Sequence, residues 1–241
     1  MSEPVRTYLV TGTDTDVGKT VVSGWMAFEL ASHCSVALIK GIQTGVADGA
    51  QADQTVYAKL TAGRHMTLET LISLPDPLAP AIAARRAGRD IDIVELAQNC
   101  RKLAERHDVT LIEGSGGLLV PIDADGHDFR HLAEMANASI ILVARPGLGT
   151  LNHTLLTLEA AKAHGLSVEF IVLNGIDFVL TDVQLENVTF LRERFPDLPL
   201  ITLHHAPDLG INGLHPRLMV GTNDWPGLPL SSSSLFQLLC G

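Results

Sequence analysis

The stretch Gly12-Thr13-Asp14-Thr15-Asp16-Val17-Gly18-Lys19-Thr20 decides how this chain of 241 residues folds. Before it lies Val5 to Val10, a short apolar run that reads as a strand. After it comes Thr20 to Ala31, whose apolar residues recur at three and four and predict a helix. Counted strictly, the loop is G-x5-G-K-T, one residue longer than the usual phosphate-binding G-x4-G-K-[ST]. Its ending carries the chemistry. Gly18 lets the backbone turn so that successive N–H groups face one concavity, with Asp16, Val17 and Val21 in the same cradle. The helix N-terminus adds partial positive charge. Lys19 supplies a full charge near the β- and γ-phosphates of a nucleotide, and the Thr20 hydroxyl offers a ligand to Mg2+. A glycine-rich turn that merely caps a helix is the plainer reading. The strand before and the helix after favour a nucleoside triphosphate site.

Outward from this loop, short apolar runs alternate with helical patterns. Val36 to Ile39, Val109 to Ile112, Ile140 to Val143 and Val168 to Leu173 are brief, β-branched and bounded by turn formers. Helices are expected over Asp53 to Leu60, Ile93 to His107, Leu151 to His164 and Gln184 to Phe195. Asp92, with Glu95 three places later, has the arrangement of a capping box. Strands apolar on both faces and separated by helices imply a mostly parallel sheet with helices on both sides. The expected fold is α/β and doubly wound, of the P-loop NTPase type, in one domain over residues 1–241. Gly213 to Pro229 reads as irregular surface chain before a short C-terminal helix, with Ser231 to Ser234 as loop or helix entry.

Composition closes off other classes. Hydrophobic residues make up 46% and charged ones 18%, enough for a buried core. Lys and Arg number 17 against 27 Asp and Glu, a net charge of −10 that argues against nucleic-acid and anionic-membrane partners. No apolar run reaches the roughly 18–20 residues that span a bilayer. The N-terminus has no secretory pattern, and Cys34, Cys100 and Cys240 follow no metal-ligand spacing. A cytoplasmic protein with reduced thiols is expected.

Mg2+ requires hard oxygen ligands beside phosphate. Glu113 stands at the C-terminal end of the Val109 to Ile112 strand, where ligands collect in open α/β sheets. It opens Glu113-Gly114-Ser115-Gly116-Gly117, whose small residues allow close approach of a ligand. Asp53, starting its helix, is either a second metal ligand or a plain N-cap. Gly147-Leu148-Gly149 precedes the helix from Leu151 and resembles a dinucleotide fingerprint weakly, because Asn152 replaces the third glycine. The alternative there is an anion site at a helix N-terminus.

Taken together, these segments resemble the dethiobiotin synthetase family. The likeness runs in order through Thr11 to Thr20, Lys40-Gly41-Ile42-Gln43-Thr44-Gly45, Glu113 to Pro121, Gly147 to His153 and Val172-Leu173-Asn174-Gly175. It covers most of the chain up to about residue 176 and fades beyond. The resemblance implies carboxylation and ring closure of 7,8-diaminopelargonate with CO2, driven by ATP and Mg2+, in a homodimer with the substrate at the interface. It implies Lys19 and Lys40 as catalytic cations, and Thr15 and Thr44 as residues near the substrate. Thr20, Asp53 and Glu113 match the metal ligands, with Gly114, Ser115 and Gly116 beside them in the nucleotide site. Asn174, with Gly175, matches the reader of the base, and Gly149, Thr150, Leu151 and Asn152 match the site of the distal carboxylate, supplied across the dimer.

Three positions depart from the family pattern. Gly41 follows Lys40 where proline is usual, Ser115 replaces a common alanine, and Leu200 to Pro207 replaces the usual stretch near the base. Two rivals carry the same style of phosphate loop. A cobyrinic-acid-type ATP-dependent amidoligase would add a glutaminase domain for which 241 residues leave no room. A partitioning-type ATPase switch would want a basic face or a basic amphipathic tail, which Leu235-Phe236-Gln237-Leu238-Leu239 is not.

Overall fold

Seven parallel strands form one sheet: β1 (Arg6–Gly12), β2 (Val36–Thr44), β3 (Thr67–Leu74), β4 (Val109–Gly117), β5 (Ser139–Ala144), β6 (Val168–Ile176) and β7 (Leu200–His204), in the order β3-β2-β4-β1-β5-β6-β7. The computed structural model describes residues 6–46, 53–177, 179–204, 235–237 and 239. Gly213 to Pro229, Ser231 to Ser234 and His205 to Pro207 lie outside the described residues. The helices are α1 (Lys19–Leu30), α2 (Asp53–Leu60), α3 (Pro80–Arg86), α4 (Ile93–Ala104), α5 (Phe129–Met135), α6 (Thr150–Ala163) and α7 (Asp182–Arg194).

Alternation along each strand sends neighbours to opposite faces. Tyr8, Val10, Val36, Leu38 and Leu111 pack with α1, Tyr57 of α2 and the C-terminal Leu235 and Leu239. Leu9, Ala37, Ile39 and Ile112 pack with α3 through α7 on the other face. Both faces are buried, so the strands read as continuous apolar runs. Each fully buried side chain of this size contributes about 1.5–3 kcal/mol of transfer free energy. The tail is tied under the first strand: the Tyr8 hydroxyl donates to the Leu239 carbonyl at 2.8 Å.

Two strands run further than their apolar residues predict, to Thr44 instead of Ile39 and to Gly117 instead of Ile112. Polar side chains do not end a strand whose backbone keeps its partners. The β2–β3 ladder continues to Thr44 opposite Leu74, and Gly12 of β1 pairs with Gly117 of β4. Lys40 and Glu113 therefore lie within adjacent strands, in register with each other. β3 escapes a sequence reading because it is an edge strand with most residues only half-buried. α3 and α5 are each seven residues long, too short for a helical period to declare itself.

Asp92 caps α4, its carboxylate accepting from the N–H groups of Val94 at 2.8 Å and Glu95 at 3.0 Å. The helix ends at Ala104, three residues before the predicted end, where tight turns follow: Arg106 donates to Leu103 and His107 to Ala104. Asp92→Ala is expected to cost about 1 kcal/mol, read as a lower urea midpoint at unchanged slope. A midpoint equal to wild type would show that α4 does not depend on its cap.

Candidate active site

The phosphate loop leaves the C-terminal end of β1 and is stitched to the next strand by the Thr13 N–H, which donates to Val143 of β5 at 2.9 Å. Two of its residues adopt left-handed backbone, Asp16 at φ 57° and Gly18 at φ 91°. That alternation of handedness is what lets successive N–H groups converge on an anion. Behind the loop, the Asn174 amide at the end of β6 donates to the Val17 carbonyl at 3.0 Å. The approach is close: a Cβ on Gly18 would fall 2.0 Å from Asn174 Nδ2. Lys19 curls back over the loop, its ammonium donating to the Asp14 carbonyl at 2.9 Å.

Next to the loop stands a cluster of opposite charges. Lys40 Nζ lies 2.6 Å from Glu113 Oε1 and 2.6 Å from Asp53 Oδ2. Thr20 donates to the same Glu113 Oε1 at 2.9 Å. The Tyr57 hydroxyl donates to the other oxygen, Glu113 Oε2, at 2.5 Å. Glu113 is fully buried and Lys40 nearly so, which makes the pairing obligatory: a lone buried charge would cost several kcal/mol. Strand register supplies Lys40 and Glu113, and α2 supplies Asp53 and Tyr57, four residues apart on one helix face. α2 reaches the site by close contact with α1. A Cβ on Gly24 would fall 2.4 Å from Leu60 Cδ1, so a larger residue there would force Leu60 to shift.

Burial alone would lower the Lys40 pKa, but the Glu113 and Asp53 carboxylates outweigh it and raise the ammonium above its ordinary value. Lys19 goes the other way. Its burial prevails over the attraction of Glu113, and the nearby Lys40 charge adds to the downward push. Burial, reinforced by Glu113, holds the Tyr57 phenol well above its ordinary value, so it remains a donor.

Lys19, Thr20, Lys40, Asp53 and Glu113 line a cleft of about 800 Å3, with Tyr57 buried behind them. Thr15, Asp16, Gly18, Lys19, Thr20 and Val21 form its phosphate-loop wall, and Lys40, Thr44, Asp53, Glu113, Ser115 and Gly116 complete the polar side. The remaining predicted residues do not line it. Val17 is buried with its carbonyl held by Asn174, Gly114 backs onto the Phe129 ring, and Gly175 follows Asn174 in β6 with open space on its Cβ side. Gly149 to Asn152 open α6 and do not line the cleft; the adjoining Leu148 is 87% exposed, and Thr150 is buried. Asp123, Asp125 and His127 bring three further ligand atoms together on the loop before α5. There Asp123 closes its own loop, accepting from the Asp125 and His127 N–H groups and pairing with the His127 ring.

Sequence reasoning missed three parts of the site. Gln43 accepts from the Asp53 N–H at 3.3 Å and so holds the start of α2. Pro77, Leu78, Ala79 and Pro80 form an apolar wall opposite the lysines. Tyr57 could have been found by counting one helical turn from Asp53.

A protein-family model described as AAA domain matches residues 6–208. Proteins named ATP-dependent dethiobiotin synthetase BioD are similar to this chain. One from Rhodococcus erythropolis is 47% identical over 173 residues, covering 70% of this chain and 74% of its own. One from Streptomyces coelicolor is 42% identical, covering 69% and 70%, and one from Halalkalibacterium halodurans is 33% identical, covering 85% and 87%. Among solved structures, the septum site-determining protein MinD from Pyrococcus horikoshii, complexed with Mg-ADP, matches with TM-score 0.53 at 17% identity over 83% of this chain and 82% of its own. An ATP complex of Cyanothece McdA matches with TM-score 0.53 at 13% identity over 83% and 84%. These two likenesses concern the fold alone.

Proposed function

The chain belongs to the ATP-dependent dethiobiotin synthetase family, and from that premise we propose that it closes the cyclic urea of dethiobiotin from 7,8-diaminopelargonate, CO2 and ATP. One amine of the substrate takes up CO2 as a carbamate. A carbamate oxygen bonds to the γ-phosphorus while the bond to ADP breaks. The second amine then bonds to the carbamate carbon, and phosphate leaves with the oxygen that held it. Carbamate and migrating phosphoryl are both anionic, so the protein's contribution is converging positive charge and fixed position.

The observation that carries this reading is two lysines, Lys19 and Lys40, on the floor of one phosphate-loop cleft. Lys19 serves the phosphates and Lys40 the carbamate and transferring group, with Thr15 and Thr44 beside the substrate. The Lys40 charge acts on Lys19, so the two ammonium groups stand close enough to share one anion. The apolar wall from Pro77 to Pro80 suits the aliphatic chain of the substrate.

Asp53, Glu113 and Thr20 offer a hard oxygen donor set, and an ammonium already sits 2.6 Å from both carboxylates, so their geometry accepts a cation. This set fits Mg2+. Thr20, Asp53 and Glu113 would hold the ion, which would supply positive charge against the charge developing on the phosphates. The start of α6, with Gly149 as its N-cap, does not line the cleft and adjoins an exposed leucine. In a homodimer this N-terminus, with Thr150, Leu151 and Asn152, receives the distal carboxylate of the substrate bound by the other copy. Residues 1–241 act as one domain, and we place the enzyme in the cytoplasm. Among the described residues no helix is long and apolar enough to cross a membrane. Burial pushes the Cys100 thiol up to about 12, which suits a core residue and not the nucleophile an amidoligase's glutaminase would need.

Incubation with 7,8-diaminopelargonate, bicarbonate, Mg2+ and ATP, followed by mass spectrometry, tests the reading. The cyclic urea should appear only with all four present. ATP hydrolysis that proceeds equally without the diamine, and yields no urea, would replace it with an ATPase switch. Repeating the assay with other triphosphates settles base preference, which the altered Leu200 to Pro207 stretch leaves open.

A further inference from the structure

We infer that Tyr57 is a positioning residue that makes Glu113 a one-oxygen ligand and thereby biases the centre toward Mg2+ over Ca2+. The inference rests on the metal centre proposed above and names a residue outside its ligand set. The carboxylate of Glu113 is divided between two environments: Oε1 meets Lys40 at 2.6 Å and Thr20 at 2.9 Å, whereas Oε2 meets only the Tyr57 hydroxyl among the hydrogen bonds it makes. The last torsion of a glutamate is broad and weakly held, so a carboxylate without a partner on one oxygen turns easily. Here the partner is fixed. Tyr57 and Glu113 are both fully buried, and water cannot take the place of the phenol without a cavity opening. The ring sits in the core beneath α1, and the backbone carbonyl of Tyr57 is itself held by the Thr61 hydroxyl at 2.7 Å.

The consequence follows from ion size. Mg2+ demands a near-octahedral shell and takes carboxylates through one oxygen. Ca2+ is larger and accepts both oxygens of one carboxylate. Oε2 faces the buried phenol, while Oε1 faces Thr20 and Lys40, which line the cleft, so Oε1 is the oxygen a cation reaches, and ligation through one oxygen suits the smaller ion. Tyr57→Phe keeps the ring in the core and removes only the hydroxyl, so Oε2 is free to swing toward the cation.

The test measures metal binding directly. Wild type and Tyr57→Phe, each with saturating ADP, are titrated with Mn2+ by electron paramagnetic resonance, and the Mn2+ is then displaced with Mg2+ or with Ca2+. Removing an outer partner of a metal ligand costs roughly 10–100-fold in affinity. Mn2+ and Mg2+ should therefore weaken on the order of 10-fold in the variant, and the preference for Mg2+ over Ca2+ should narrow by a similar factor. Thr61→Val removes one bond to the Tyr57 carbonyl, which keeps the Thr61 N–H at 2.8 Å, and it leaves the phenol in place, so it should shift both quantities far less than Tyr57→Phe does. Unchanged preference in Tyr57→Phe, or an equal change in Thr61→Val, overturns the role of Tyr57. A wild type that binds no metal with ADP present overturns the metal centre itself, a separate and recognisable failure. Should Tyr57→Phe not fold, the wild type supplies the readout. The chain has two tyrosines, and Tyr8 is tied to the tail, away from the cleft. Mg2+ addition should then give a tyrosine difference absorbance, and its absence overturns the proposal.

Discussion

Lys40→Ala is expected to slow ring closure by on the order of 1000-fold while leaving ADP affinity within a few-fold of wild type. The asymmetry comes from where the ammonium sits. Lys40 is not part of the phosphate loop; it reaches the cleft from β2 and is held between Glu113 and Asp53. Nucleotide binding draws on the loop N–H groups and Lys19, which the substitution does not touch. The transferring group loses its second cation. A further effect separates this reading from simple misfolding. Without Lys40, Glu113 and Asp53 are left as neighbouring carboxylates with no cation between them, a loss of roughly 3–5 kcal/mol for a buried pair broken on one side. Because both are proposed metal ligands, Mg2+ should restore much of the lost thermal midpoint without restoring turnover. Product formation at the wild-type rate would remove Lys40 from the chemistry. A midpoint that ignores Mg2+ would remove the carboxylates from the metal.

Gly18→Ala should damage binding instead of chemistry. The residue lies at φ 91°, where a side chain costs about 1–2 kcal/mol. Its new Cβ would overlap Asn174 Nδ2 at 2.0 Å, and the atom it meets is the one that anchors Val17. Either the asparagine lets go of the loop or the loop moves off the asparagine. In both cases the N–H groups lose their common aim, and ADP affinity by calorimetry should fall on the order of 100-fold, about 2.7 kcal/mol. Full ADP affinity in the single variant would show that the cradle does not need this turn.

Much of this molecule is readable from short segments because the physics there is short-range. Gly18, Lys19 and Thr20 act through the backbone of one turn and one helix start, and the structure places them where their spacing predicts. The four apolar runs after β1 all become strands because burial on both faces demands continuous hydrophobicity. Asp92 caps its helix for an equally local reason. The half-buried edge strand β3 and the seven-residue α3 and α5 carry too weak a period to be heard above composition. The apolar wall of the cleft, Pro77 to Pro80, leads into α3 and is as hard to read as that helix.

The class of sheet, the phosphate cradle and the identity of the charged residues near it are therefore legible in local segments. Which charges meet depends on the assembled fold. Lys40 and Glu113 are 73 positions apart and become neighbours because β4 inserts between β2 and β1. Asp53 and Tyr57 join them because α2 packs tightly on α1 at Gly24. Strand order and helix docking are settled by how whole faces bury against one another, and a contact so made leaves no mark in the residues on either side of it.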